Sequence, residues 1–121
     1  MESILIVDDD LNLCKVLAEE LTEIGYTVHY VTSADAALDY VQREPIELML
    51  LDLKMPEKDG FEVLRELKAR EVHFKVIVLT AYADVVSAME AARMGATDFI
   101  SKPYDFDELI ITIRKVLQKE T

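Results

Sequence analysis

Short apolar runs alternate with amphipathic runs five times along the 121 residues, and this alternation restricts the possible folds more than any other feature. The apolar runs cover residues 3–7, 27–31, 46–51, 75–79 and 97–100. The first, third and fourth runs are apolar at consecutive positions, which is typical of parallel strands that are covered on both faces. The sequence therefore predicts an α/β domain with a doubly wound, five-stranded parallel sheet.

Each apolar run is followed by a segment with apolar residues at helical spacing. The predicted helices cover residues 11–24, a segment capped by Ser33, a segment from about Gly60, residues 84–94 and residues 106–118. In the fourth helix, the spacing predicts that Val85, Met89 and Ala92 face the core. No linker or change of composition divides the chain, so residues 1–121 are interpreted as one domain with one core.

The charge and the cysteine content exclude some classes of function. The net charge of −11 argues against binding to nucleic acid or to an anionic membrane, because both need a basic surface. The single cysteine, Cys14, cannot form an internal disulfide and fits a reducing compartment. No apolar run is long enough to span a bilayer and no basic, apolar leader is present, so a cytoplasmic location is expected.

Polar residues follow four of the five predicted strands at the point where each strand ends. These residues are Asp8, Asp9 and Asp10 after the first strand, Asp52 after the third, Thr80 at the fourth, and Ser101, Lys102 and Pro103 after the fifth. The carboxyl ends of parallel strands lie along one edge of the sheet, where α/β proteins bind their ligands. We therefore expect these side chains to converge on one small site.

Such a site has the chemistry of phosphoryl transfer. Two carboxylates 4 Å apart repel by about 4 kcal/mol at an effective dielectric of 20, and a divalent cation relieves this repulsion. All candidate ligands are oxygens, which favours Mg²⁺ over zinc. Lys102 and Thr80 would neutralise a transferred phosphoryl group. Asp52 is the candidate nucleophile because it stands alone, whereas Asp8 and Asp9 are adjacent and suited to hold the metal.

Each residue also has a simpler interpretation, and other functions remain open at this point. Asp9 or Asp10 could cap the first helix, and Lys102 could be an ordinary surface lysine. A phosphatase with paired aspartates is disfavoured because Lys54 stands where the second aspartate is needed. A flavin or nucleotide site is disfavoured because three acids follow the first strand. A protein-interaction domain that is never phosphorylated is the third alternative.

The motifs ILIVDDD, LLDLKMPEKDG, VLTAYA and GATDFISKP closely resemble those of the receiver domains of two-component response regulators, in the same order and spacing. The resemblance covers nearly the whole chain. It implies a flavodoxin-like (βα)5 fold with strand order 2-1-3-4-5. It also implies a signalling switch rather than an enzyme, with only weak self-phosphorylation and self-dephosphorylation.

The resemblance implies roles for individual residues at the acidic site. Asp52 would accept a phosphoryl group from a sensor histidine kinase in a Mg²⁺-dependent reaction. Asp8 and Asp9 would hold Mg²⁺ together with Asp52 and the backbone carbonyl of Lys54. Lys102 would pair with the phosphoryl group.

The resemblance also implies how phosphorylation would be sensed. Thr80 would turn towards the phosphoryl group, and Phe99 would be the aromatic switch residue that moves in response. Lys54 and Tyr82 match positions that tune the lifetime of the phosphorylated form. The peptide bond before Pro103 is expected to be cis.

The stretch AYADVVSAMEAARMGATDFISKPYD is most similar to receivers of transcription activators of the nitrogen-regulation type. This branch implies an output domain or a downstream protein as the partner that receives the signal. Some members of the family dimerise through the face formed by residues 84–94, 97–100 and 106–118, so a homodimer is a further expectation.

Overall fold

The computed structural model describes residues 2–81 and 84–118, which form a parallel sheet with helices on both faces. The strands are β1 (Ser3–Val7), β2 (Thr27–Val31), β3 (Leu48–Leu51), β4 (Lys75–Thr80) and β5 (Asp98–Ser101). The helices are α1 (Leu11–Glu23), α2 (Ala34–Arg43), α3 (Gly60–Ala69), α4 (Val85–Arg93) and α5 (Phe106–Gln118). The strand order is β2-β1-β3-β4-β5, so the predicted fold class and topology are confirmed. Tyr82 lies outside the described residues.

The central strands are buried on both faces, as their continuous apolar runs predicted. Ile4 and Ile6 of β1 pack in the core that α1 and α5 cover. Leu5 and Val7 pack in the core on the opposite face, which α2 and α3 cover. Because successive side chains of a strand point to opposite faces, a strand buried on both faces needs apolar residues throughout.

The third strand is shorter than predicted, since regular pairing begins at Leu48 rather than at residue 46. The backbone N–H of Glu47 already donates to the carbonyl of Ser3 at 2.9 Å. Ile46 follows Pro45, which has no N–H to donate to a sheet. The difference therefore concerns the entry into the strand and leaves the position of Asp52 at its end unchanged.

The predicted inner face of α4 is wrong. Val85 is 74% exposed and Met89 is 56% exposed, and Ala92 is also exposed. Ala91 is the fully buried residue of this helix, and Ala88 is half-buried. Small side chains face the sheet, while the larger apolar side chains that were expected in the core point to solvent.

Three helices end in the same hydrogen-bonded motif, with a residue of positive φ directly after the helix cap. At the end of α1 this residue is Gly25 (φ 110°), and at the end of α4 it is Gly95 (φ 100°). At the end of α3 the same position is Glu71 (φ 54°). The N–H of Val72 donates to the carbonyl of Leu67 at 3.4 Å, which closes the motif. Glu71 therefore occupies a position at which glycine is preferred.

Replacing Glu71 with Gly should raise the free energy of unfolding by about 1 kcal/mol, because a left-handed backbone costs an L-residue about 1–2 kcal/mol and glycine loses some entropy on folding. Urea denaturation of both proteins measures the change. Gly25→Ala is the matched control and should lower the free energy by a similar amount. A destabilised Glu71→Gly variant would contradict the interpretation of this cap.

Among the helices of the described residues, none has the length and apolar character needed to cross a bilayer.

Candidate functional site

Three carboxylates converge at the carboxyl edge of the sheet. Asp8 and Asp9 follow β1, and Asp52 follows the adjacent strand β3. One oxygen from each of the three lies within 4.8 Å of the others. Asp8 and Asp52 are only 2% and 7% exposed, whereas Asp9 is open to solvent. The structure thus brings together the three acids that the sequence proposed as metal ligands.

Backbone hydrogen bonds fix two of these carboxylates. The N–H of Asp52 donates to the carbonyl of Val7 at 2.9 Å, which ties the end of β3 to the end of β1. The Oδ1 of Asp52 accepts the N–H of Lys54 at 3.3 Å. The Oδ1 of Asp8 accepts the N–H of Asp10 at 2.9 Å. One oxygen of each buried acid is therefore held locally, while its Oδ2 lies beside Nζ of Lys102.

Lys102 provides the cation of the site. Its Nζ forms an ion pair with Oδ2 of Asp8 and lies 3.4 Å from Oδ2 of Asp52. The side chain of Lys102 is 18% exposed. The backbone N–H of Lys102 donates to the carbonyl of Thr80 at 2.8 Å. The peptide bond between Lys102 and Pro103 is cis, as expected. Lys102 therefore bridges acids from two strands, which excludes the interpretation as an ordinary surface lysine.

The pKa values of this pair reflect burial and attraction together. Burial raises the pKa of the Asp8 carboxyl above its usual value, although the hydrogen bond from Lys102 opposes the shift. Burial alone would lower the pKa of Lys102, but its hydrogen bond to Asp8 and the attraction of both carboxylates raise it. Lys102 is therefore positively charged at neutral pH.

The charges and distances fit a divalent cation. Asp8, Asp9 and Asp52 with the one ammonium group of Lys102 carry a net charge of −2 when ionised, which one divalent cation balances. An octahedral Mg²⁺ site has bonds of about 2.1 Å, so its ligand oxygens lie about 3 to 4 Å apart. Oxygens within 4.8 Å of one another need only small movements to reach this geometry. The all-oxygen ligand set also matches the preference of Mg²⁺.

A cleft of about 540 Å³ opens beside these acids. Its lining consists of Asp9, Asp52, Lys54, Met55, Pro56, Thr80 and Ala81. Thr80 is fully buried at the end of β4, where it pairs in register with Ser101 of β5. Phe99 is not among the lining residues: it is half-buried two residues earlier on β5 and packs against the core that contains Leu5, Val7 and Ala91. The cleft is therefore lined by the acceptor candidate Asp52, by Asp9 and Lys54 of the metal-ligand candidates and by Thr80, but not by Asp8 or Phe99.

Asp10 has the structural role that was proposed as the simpler interpretation. It is the N-cap of α1, and its side chain accepts the N–H of Leu13 at 3.1 Å. Because Asp10 caps the helix, the carboxylate of Asp9 is available to the site. The acids after β1 thus divide between the acidic site, which contains Asp8 and Asp9, and the helix cap, which is Asp10.

The apolar side of the cleft was not predicted from the sequence; it consists of Met55, Pro56 and Ala81. They are neighbours of Lys54 and Thr80 in the sequence. Their position directly after the ends of two strands is the sequence signal by which they could have been found. Met55 is buried, whereas Pro56 and Ala81 are exposed, as are Asp9 and Lys54.

Comparisons with known proteins agree with this geometry. Residues 4–114 match the family model of the response regulator receiver domain. The chain is 41% identical over 114 residues to the transcriptional regulatory protein ZraR of Escherichia coli strain K12, covering 94% of this chain and 26% of that protein. It is 36% identical over 116 residues to the sporulation initiation phosphotransferase F of Bacillus subtilis strain 168, covering 96% of this chain and 94% of that protein.

A solved structure shows the same fold. The response regulator protein TrrA of Thermotoga maritima, in complex with Mg²⁺ and BeF, is 34% identical and superimposes with a TM-score of 0.86. The match covers 96% of this chain and 99% of that one. The chain thus spans about a quarter of ZraR but nearly all of TrrA and the sporulation phosphotransferase. With the family model matching most of its length, the chain belongs to the response regulator receiver domains, a family of signalling domains phosphorylated on aspartate.

Proposed function

We propose that this chain is a phospho-accepting switch in which Asp52 takes a phosphoryl group from a sensor histidine kinase in a Mg²⁺-dependent reaction. The observation that carries the proposal is the convergence of Asp8, Asp9 and Asp52, one oxygen of each lying within 4.8 Å of the others, with the ammonium group of Lys102 beside two of them. Clustered buried carboxylates are unfavourable for folding by themselves. Their presence at the ligand-binding edge of the sheet therefore supports a chemical role.

The residues present fit Mg²⁺, and Asp8, Asp9, Asp52 and the carbonyl of Lys54 would hold it. When bound, the ion offsets the negative charge of the incoming phosphoryl group. The crystal structure of TrrA with Mg²⁺ and BeF supports this assignment by similarity.

In the proposed reaction, an oxygen of Asp52 attacks the phosphorus of the phosphohistidine. The P–N bond breaks, its electron pair returns to the imidazole, and the product is an aspartyl phosphate. Lys102 lies 3.4 Å from Oδ2 of Asp52, so its ammonium group is placed to neutralise the phosphoryl oxygens. Thr80 lines the same cleft, and its hydroxyl would donate to one of these oxygens.

The response to phosphorylation would pass through Thr80 to Phe99. Thr80 and Phe99 lie on the adjacent strands β4 and β5, so a movement of the Thr80 side chain changes the packing around β5. The modification adds about −1.5 to −2 charge units. This charge can shift the equilibrium between two conformations of the region only if it interacts more favourably with one conformation than with the other.

The partners we propose are the kinase and an output domain or downstream protein. The similarity to ZraR, a transcriptional regulatory protein, favours an output that controls transcription. A homodimer would use the face formed by α4, β5 and α5, where Val85, Val86 and Ile111 are 74%, 75% and 66% exposed.

The net charge of −11 disfavours direct binding to nucleic acid or to an anionic membrane. We propose that residues 1–121 act as one receiver domain in the cytoplasm, where the single thiol stays reduced.

Incubation of the chain with acetyl phosphate tests the function directly. With Mg²⁺, mass spectrometry should show one added phosphoryl group, and peptide mapping should locate it on Asp52. With EDTA in place of Mg²⁺ the product should disappear. Absence of the adduct with Mg²⁺, or its location on another residue, would refute the proposal.

A further inference from the structure

Gly60 lies against the backbone of the proposed phosphoacceptor. A Cβ atom built on Gly60 would lie 2.4 Å from the carbonyl oxygen of Asp52 and 2.7 Å from Cα of Leu53. These distances are far below van der Waals contact, and both atoms belong to the main chain, which cannot rotate away. Gly25 and Gly95, in contrast, have no atom within 4 Å of such a Cβ. The need for glycine at position 60 is therefore a need for space beside Asp52.

The contact also closes the loop that forms one side of the cleft. The N–H of Gly60 donates to the carbonyl of Leu53 at 2.8 Å. The loop between these two residues contains Lys54, Met55 and Pro56, which line the cleft beside Asp52. The start of α3 and the backbone of the acidic site are thus one packed unit.

Neither side of this contact is free to retreat. Asp59 caps α3 by accepting the N–H of Glu62 at 3.0 Å, and Val63 and Leu64 anchor the first turns of the helix in the core. On the other side, the N–H of Asp52 is bonded to the carbonyl of Val7. A methyl group at position 60 would therefore move the peptide that follows Asp52 and so change the direction of its side chain.

We propose that Gly60 is a positioning residue for Asp52. The absence of a side chain at this position sets the distance between α3 and the peptide of Asp52, and thereby aligns the carboxylate with Asp8, Asp9 and Lys102. This inference rests on the proposed function. From the sequence alone, Gly60 was predicted only to begin a helix.

The size of the effect follows from the distances. Ordinary contact begins near 3.4 Å, so the Asp52 carbonyl must move by about 1 Å to admit the methyl group. A displacement of about 1 Å at a reacting group costs about 10²-fold in rate. A disturbed support of a metal site costs about 10-fold to 10²-fold in metal affinity.

The test compares Gly60→Ala with Gly95→Ala, which places a side chain on a positive φ but meets no neighbouring atom. For Gly60→Ala, the rate constant of phosphorylation at saturating Mg²⁺ and acetyl phosphate should fall about 10²-fold. Its dissociation constant for Mg²⁺, measured by calorimetry without phosphodonor, should rise about 10-fold or more. Gly95→Ala should lose thermal stability but keep the wild-type rate constant and Mg²⁺ affinity.

A second measurement uses the wild-type chain and so does not depend on the folding of a variant. The chain contains only three glycines, so ¹⁵N-glycine labelling gives three amide signals. The Gly60 signal should shift during a Mg²⁺ titration and follow the binding curve, whereas the Gly25 and Gly95 signals should stay in place.

The outcomes separate the two proposals. A wild-type chain that is not phosphorylated overturns the function. A phosphorylated wild type together with a folded Gly60→Ala variant of unchanged rate and Mg²⁺ affinity overturns the role of Gly60 alone. A Gly60 signal that does not move as Mg²⁺ binds overturns that role as well.

Discussion

Replacing Lys102 with Met should lower the free energy of unfolding by about 3 to 5 kcal/mol in Mg²⁺-free buffer at neutral pH, the usual cost of removing one partner from a buried ion pair. The side chains of Asp8 and Asp52 are only 3% and 8% exposed, so without the ammonium group they are left as two adjacent, uncompensated carboxylates. Methionine keeps most of the aliphatic length of lysine, so the loss reports charge rather than a cavity. Urea denaturation of both proteins measures the difference.

Addition of Mg²⁺ should restore much of this stability, because an ion that binds only the folded state stabilises it and replaces the missing positive charge. The matched control is Lys115→Met. Lys115 pairs with Asp98 at 3.5 Å but is 70% exposed, so its removal should cost less than about 1 kcal/mol. Equal losses for the two variants, or a Lys102→Met loss that Mg²⁺ leaves unchanged, would contradict the assignment of this site.

Replacing Asp52 with Asn should abolish phosphorylation by acetyl phosphate while the fold is retained. The amide has the size of the carboxylate but lacks the anionic oxygen that attacks phosphorus. Lys102 keeps its ion pair with Asp8, and one of the clustered negative charges is removed. The free energy of unfolding should therefore stay equal to that of the wild type or rise.

Phosphorylation is followed by mass spectrometry after incubation with Mg²⁺ and acetyl phosphate, and stability by urea denaturation. Asp59→Asn is the control in the same loop, because asparagine caps a helix about as well as aspartate, and Asp59 lies at the start of α3 rather than in the cleft. This control should be phosphorylated like the wild type. A phosphoryl group gained by Asp52→Asn at the wild-type rate would identify a different acceptor.

The sheet could be predicted because its signal is local. A continuous apolar run such as residues 4–7 is typical of a parallel strand that is covered on both faces, and β1 is such a strand. The convergence of Asp8, Asp52 and Lys102 followed from topology, since the carboxyl ends of parallel strands share one edge.

The features that could not be predicted from the sequence depend on contacts between distant segments. The inner face of α4 was misassigned because helical spacing does not show whether Val85 and Met89 or the small Ala91 faces the sheet. The left-handed backbone of Glu71 has no signal in the sequence, since glutamate rarely adopts it. Gly60 was interpreted only as the start of a helix, because its approach to Asp52 exists only once α3 has packed on β3.

The three cap motifs, at Gly25, Glu71 and Gly95, end helices that run antiparallel to the strands, so they sit at the opposite pole of the molecule from the acids. These caps therefore contribute to the free energy of unfolding at positions away from the signalling site. Substitutions at these caps can raise the stability of the domain for use in a biosensor without changing its response to phosphorylation. Mutations at the caps should alter protein abundance in the cell more than signal output.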